Sequence, residues 1–289
     1  MNNFDSGEVY LSNLTKKLEK VYKLVGWIED PFTQVGRKRY DDLIKLFDNL
    51  IKHEWISQLL KKRRIGIADV CGGTGIGGVA LAKVLSKYAS IELYVIDLRQ
   101  RALNIARRFS KQELGVEAIT IFHDVRKLYE LGKKWDIILM TGYSMSHFSP
   151  WDGIKIFANF GHSITDDGIV LLDECDRIFH TFLRAGYKYV LPERLDEESI
   201  TISLHKEYDP IRGEIKRVYV DLINKLTEEV SIYFWSLSEL LALLWTFFED
   251  IDFIPKQTHY YGFILARKPR RKLAPDDFEK VPRILGKQI

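Results

Sequence analysis

The chain has 289 residues, with 43 lysines and arginines against 40 aspartates and glutamates and a formal net charge of +3. That length buries the core of one domain with additions, and the nearly cancelling charge neither demands nor excludes a nucleic-acid partner. Two cysteines are too few for a disulfide framework, the opening residues lack the apolar centre of a signal peptide, and no apolar run is long enough to span a membrane, so a cytoplasmic protein with free thiols is expected.

Residues 8–64 read as helices. Leu11, Leu14, Leu18, Val21, Tyr22 and Val25 recur at helical spacing, as do Leu43, Ile44, Leu46, Phe47, Leu50 and Ile51. The connector between them, Gly26 to Gly36, carries Pro and Gly punctuation. These helices either pack on the domain edge or close a ligand mouth, in which case Arg37 and Tyr40 are the candidates to reach it.

The stretch Ile65 to Leu85, IGIADVCGGTGIGGVALAKVL, organises the remainder. Ile65, Ile67 and Val70 mark a buried strand, five glycines fall between Gly72 and Gly78, and Val79, Leu81, Ala82, Val84 and Leu85 continue as a helix. Glycines at a strand-to-helix turn admit positive φ and close approach of a ligand, towards which the helix aims its free amides. This is a nucleotide-binding turn, and two readings compete. Gly73, Gly75 and Gly78 satisfy G-x-G-x-x-G, with Asp97 ending the next strand, which is the dinucleotide fingerprint. Asp69, just before the glycines, suits instead a ligand that presents a cation, such as the amino group of a methionine moiety. The segment Asp69-Val70-Cys71-Gly72-Gly73-Thr74-Gly75 resembles motif I of the class I S-adenosylmethionine-dependent methyltransferases, D-x-G-x-G-x-G, with Cys71 in place of the first glycine. The methyltransferase reading is preferred.

Strands and helices then alternate. Ile91–Asp97, Ala118–Asp124, Trp135–Met140 and Gly168–Asp173 read as strands, with helices after Asp97 and over Trp151–Ser163. Continuous apolar strands between helices mean a parallel sheet covered on both faces, whose ligands lie beyond the carboxyl ends of the strands. That rule brings Asp69, Asp97, Asp124 and the loop after Met140 round one crevice. Asp97 has the chemistry for a bidentate hydrogen bond to ribose hydroxyls, and Leu98 is a candidate to pack on adenine. Asp124-Val125 resembles the methyltransferase motif whose acidic side chain accepts from the adenine amino group, although an aspartate there also caps the following turn. In the loop Thr141 to Pro150, Tyr143 and His147 are the side chains able to orient an acceptor or take its proton.

Between residues 176 and 234 the alternation breaks. Arg177 to Val190 looks helical, and Ile200–Leu204, Val218–Leu222 and Val230–Phe234 show β character, an antiparallel insertion that either roofs an acceptor pocket or forms a dimer surface. Ser236-Leu237-Ser238-Glu239 is a capping box opening a helix. Ile251–Ile254 and Tyr261–Ala266 close as a strand pair, which resembles the sixth and seventh strands of the methyltransferases, the last antiparallel. The basic tail beyond Arg267 is expected to be solvated and partly mobile, or else an RNA-contacting arm.

The resemblance spans residues 64–268 and implies a seven-stranded, mostly parallel, doubly wound α/β domain, preceded by a helical lid over 1–63 and followed by the tail 269–289. It implies S-adenosylmethionine as cofactor, held by Asp69, Cys71, Gly72, Gly73, Thr74, Gly75, Asp97, Leu98, Asp124, Val125 and Thr141; metal-ligand spacing is not evident among the seven histidines, so no metal is expected. The rivals are an NAD(P)-dependent oxidoreductase using the Gly73/Gly75/Gly78 turn, and a binding protein without chemistry. Tyr129-x-x-x-Lys133 matches a dehydrogenase pair, but it follows the third strand, where that pair does not belong. No Asn/Asp-Pro-Pro-Tyr/Phe motif, cysteine nucleophile dipeptide or paired-glutamate loop is present. The insertion and the helical lid lean towards a small-molecule acceptor, with RNA second on the strength of the basic tail.

Overall fold

The computed structural model describes residues 6–286, with side chains described over 13–286. The side chain of Leu11, residues 1–5 of the expected lid and residues 287–289 of the tail lie outside the described residues. The chain runs through helices α1 (Ser6–Leu24), α2 (Gln34–Leu50) and α3 (Glu54–Leu59) into strand β1 (Arg64–Val70) and helix α4 (Ile76–Leu85). There follow β2 (Ser90–Asp97), α5 (Gln100–Leu114), β3 (Ile119–Phe122), β4 (Trp135–Met140), α6 (Pro150–Ser163) and β5 (Ile164–Cys175). Strands β6 (Val190–Leu195), β7 (Ile200–Asp209), β8 (Glu214–Asp221) and β9 (Leu226–Tyr233) precede α7 (Leu237–Phe247), β10 (Phe248–Pro255) and β11 (Tyr261–Pro269).

Seven strands form one sheet in the order β10-β11-β5-β4-β1-β2-β3, and β6 to β9 form a second, antiparallel sheet. In the first sheet β1, β2, β3, β4 and β5 pair in parallel, while β11 runs antiparallel to both β5 and β10. The period-two alternation of each strand assigns its side chains to two cores. Ile67, Ile137, Leu139, Ile169 and Leu171 pack with α2, α3, α4 and α5. Ala68, Ile138, Met140, Val170 and Leu172 pack with α6 and α7. Parallel strands buried on both faces leave only their ends for ligands.

The N-terminal helices do two different jobs. In α2, Tyr40, Leu43, Phe47 and Leu50 form a stripe on the core, and α3 adds Trp55, Ile56 and Leu59. Helix α1 instead lies on the insertion, where Val21 and Leu24 pack with Tyr219 and Val230.

Three expectations need correction. The segment Arg177–Val190 is helical only to Arg184, in a short stretch with π-type turns. Gly186 then turns the chain at φ 69°, and Val190 opens β6, a fourth insertion strand that sequence reading missed. The tail is not loose. Arg271 donates to the carbonyls of Gly161 and Ile164 and pairs with Asp166, Arg270 donates to the carbonyls of Trp245 and Phe248, and Arg267 pairs with Asp250. Arg267, Arg270 and Arg271 are thus engaged with the body of the domain. Arg37 and Tyr40 do not reach a ligand mouth. Tyr40 is fully buried against Phe109, ring centroids 5.0 Å apart, and Arg37 pairs with Glu113 at 2.5 Å.

Candidate functional site

The turn between β1 and α4 is built from backbone that few side chains tolerate. Gly73 and Gly75 stand at φ 54° and 79°, and Cys71 adopts φ 52°, a left-handed conformation that costs a non-glycine residue roughly 1 kcal/mol. Helix α4 comes so close to the strand ends that a Cβ on Gly78 would lie 2.6 Å from Asp69 Oδ2, and one on Gly77 2.2 Å from Thr141 Oγ1. Asp69 lies beneath this turn and is fully buried. Its Oδ2 accepts from the Gly78 amide at 2.8 Å, its Oδ1 has no partner, and burial pushes its pKa up to about 7. The carboxylate thus fixes the first turn of α4 and lines no cavity itself.

Asp97 joins the turn to the N-terminal segment through Arg99. Its Oδ2 accepts from the Gly73 amide at 2.8 Å and its Oδ1 from the Arg99 amide at 2.9 Å. The buried Arg99 guanidinium lies 3.8 Å over the Tyr22 ring and pairs with Glu29 at 2.5 Å. Thr74 Oγ1 donates to the Glu29 carbonyl, and Thr15 Oγ1 of α1 to that of Leu98 at 2.8 Å. Helix α1 and the connector after it are therefore pinned to the ends of β1 and β2. Asp124 caps the turn after β3 through the Arg126 amide and is gripped by the Arg126 guanidinium at 2.6 Å, which holds its carboxyl below the usual range despite burial.

Beyond the strand ends lies a cavity in three parts. A chamber of about 330 Å³ is lined by Cys71, Asp97, Leu98, Asp124, Val125 and, from α1, Leu14, Leu18 and Tyr22. A recess of about 30 Å³ adjoins it at Gly72, Gly73, Thr74, Gly77, Thr141 and Gly142, closed by Trp27, Glu29 and Arg39. The third part, of about 440 Å³, lies between α1, the loop after β4 and the insertion sheet. His147 lines both large chambers and is exposed to the crevice it divides. Enclosure by the cavity walls, then the charges of Arg177 and Arg99, depress its pKa, so the imidazole is neutral at pH 7.

The structure thus brings Cys71, Gly72, Gly73, Thr74, Asp97, Leu98, Asp124, Val125, Thr141 and His147 to one cavity. Asp69 and Gly75 shape it from below. Tyr143 lines none of its parts; its ring lies against Tyr261, at 5.9 Å, and its carbonyl accepts from Arg177 at 3.2 Å. Sequence reading missed Tyr22, Trp27, Glu29, Arg39, Arg99, Arg177 and Arg217. Only Arg99, next but one to Asp97, carried a local signal. Arg39 adjoins Tyr40, and one residue of helix rotates by about 100°, turning Arg39 from the core to the crevice.

No protein-family model and no curated protein matches the sequence. Solved structures do match the fold. The PH0226 protein of Pyrococcus horikoshii OT3 superposes with a TM-score of 0.60 at 18% identity, over 87% of this chain and 99% of that one. An S-adenosylmethionine-dependent methyltransferase of Clostridium acetobutylicum ATCC 824 gives 0.53 at 15% identity, over 78% and 97%. The sugar N-methyltransferase KedS8 of Streptoalloteichus sp. ATCC 53650 gives 0.51 at 14% identity, over 74% and 86%. The chain has the Rossmann-like fold of class I methyltransferases, with β11 as the antiparallel strand.

Proposed function

We propose that the chain is an S-adenosylmethionine-dependent methyltransferase acting on a small molecule held in the 440 Å³ chamber. The observation that carries this reading is the shared wall: His147 lines both that chamber and the one bounded by Asp97 and Asp124. The donor set fits the cofactor. The recess is floored by glycines whose Cβ atoms would collide with their surroundings. At its mouth stands Arg39, with no carboxylate in ion-pair range among the described residues, suited to the carboxylate of a methionine moiety. Asp69 lies buried beneath the glycine turn that floors the recess and shapes it through the Gly78 amide it holds, not by direct contact. Asp97 retains acceptor capacity for ribose hydroxyls, and Asp124, Val125 and Leu98 bound the place for the base.

When bound, the cofactor supplies a methyl group on a sulfonium, whose in-line displacement is governed largely by alignment. The protein's part is to hold both partners and exclude water. Tyr22, from α1, and Val230, from the insertion, each line both chambers. His147, neutral and at the junction, is placed to accept a proton from an acceptor hydroxyl or amine, while Tyr143 positions Arg177 through its carbonyl. The oxidoreductase reading finds less support. Neither Tyr129 nor Lys133 lines the crevice: the Tyr129 ring lies against His162, centroids 5.5 Å apart, and Lys133 donates to the Tyr94 hydroxyl. The test is transfer of label from S-adenosyl-[methyl-14C]methionine to a panel of small hydroxy, amino and carboxylic compounds. Labelled product is expected, reduced about 10²-fold or more in His147→Ala; label confined to the cofactor with every compound would count against the proposal.

A further inference from the structure

The walls of the 440 Å³ chamber are specific in both shape and charge. Tyr22, Trp27, Tyr187, Tyr219 and Phe234 line it with rings. Its charged side chains are Arg177, Lys188 and Arg217 against one carboxylate, Glu193. Arg217 and Glu193 are joined through Ser203, whose hydroxyl accepts from Arg217 Nε at 2.9 Å and donates to Glu193 at 2.5 Å. Arg217 is otherwise satisfied by the Tyr187 hydroxyl and by the carbonyls of Lys188 and Ser203. That pair compensates itself.

Arg177 is different. It enters the chamber directly after β5 and donates to the Tyr143 carbonyl, its Nε is buried with no partner, and among the described residues no carboxylate lies within ion-pair distance. The neighbouring Glu174 is fully buried with its Oε2 unpartnered, and burial raises its pKa to about 7, so it neutralises Arg177 poorly. A guanidinium that lines a cavity and has no counter-ion is complementary to an anion, because a carboxylate or phosphate supplies the missing charge through charge-assisted bonds.

We infer that the acceptor is an anion on a flat, ring-bearing body and that Arg177 anchors its charged group. The inference rests on the methyltransferase proposal for the name "acceptor", but not for the binding chemistry. Arg177 also contributes to the positive field that keeps His147 neutral, so the anchored anion lies on the side of the chamber where His147 stands.

The test is calorimetric titration of the full chain, alone and saturated with S-adenosylhomocysteine, using four probes that share one ring: benzoate, phenyl phosphate, benzyl alcohol and benzylamine. One anion is expected to bind about tenfold or more tighter than benzyl alcohol, benzoate leading for a carboxylate acceptor and phenyl phosphate for a phosphate. Arg177→Gln is expected to erase that ratio and Arg177→Lys to keep part of it. Because the ratio is read first in the unmodified chain, a variant that misfolds does not remove the test. Equal binding of anions and alcohol, tightest binding of benzylamine, or a ratio unchanged in a folded Arg177→Gln would overturn the inference. Failure of S-adenosylhomocysteine to bind would sink the methyltransferase reading alone, since the probe ratios without it still decide the anion.

Discussion

Asp69 shows what a single buried carboxyl costs and what it gains. One oxygen holds the first turn of α4 and the other is orphaned, and holding this group ionised above its raised pKa of about 7 costs on the order of 4 kcal/mol. Glu174 is raised by burial to a similar value. For a carboxyl raised on folding, the stabilising contribution is complete below its unfolded pKa and is lost as pH rises through the folded one. Both groups therefore make the ligand-free chain less stable at pH 8 than at pH 5. His147, depressed below its ordinary 6.5, works in the opposite sense as pH falls, so the variant comparison isolates the carboxyl. Urea midpoints of wild type and Asp69→Asn, read at pH 5 and pH 8, should differ most at pH 8, where the asparagine removes the buried charge. An identical pH response would show that Asp69 is not held at a raised pKa.

At the scale of elements, two junctions set the crevice. The first is α4 against β4, where a Cβ on Gly77 would strike Thr141. Gly77→Ala should cost about 1–3 kcal/mol in chemical denaturation, and adding Thr141→Ala should recover part of it, a coupling that additive single effects would exclude. The second is the lid. Arg99 bridges Asp97, Glu29 and the Tyr22 ring, so Arg99→Gln leaves two carboxylates facing each other without their cation. A loss on the order of 3 kcal/mol should appear as a lower thermal midpoint, with adenosyl-ligand binding weakened about tenfold or more; unchanged binding would show that the lid does not hold the ligand. The first junction was legible in the sequence, because a glycine-rich turn is a local backbone requirement written in consecutive residues. The second was not. Tyr22 and Glu29 are distant in sequence from Arg99, and nothing local says which face of α1 meets the end of β2. The same reasoning explains Arg37 and Tyr40. They were chosen for their chemistry, yet they lie three residues apart on the helix face that continues into the core stripe of Leu43, Phe47 and Leu50.

The molecule as a whole is a doubly wound sheet whose open end is enclosed from two sides, by α1 and by the four-stranded insertion. Sheet strands were readable because their burial on both faces leaves continuous apolar runs, and Asp97 and Asp124 were readable because they stop those runs. The wall of the 440 Å³ chamber was not, since β6 begins in a segment whose apolar residues fit a helix equally well. Arg177 and Arg217 come to line one chamber only when the insertion folds back over the strand ends. The cofactor proposed for this enclosed crevice is an adenosyl sulfonium and not a dinucleotide. Calorimetric titration of the full chain with S-adenosylmethionine, S-adenosylhomocysteine and NADPH, repeated on Asp97→Ala, tests it most directly. Saturable binding of the two adenosyl ligands, weakened by the substitution and accompanied by no heat from NADPH, is the predicted result. Binding of NADPH alone would contradict the claim and make the Gly73 to Gly78 turn a dinucleotide site.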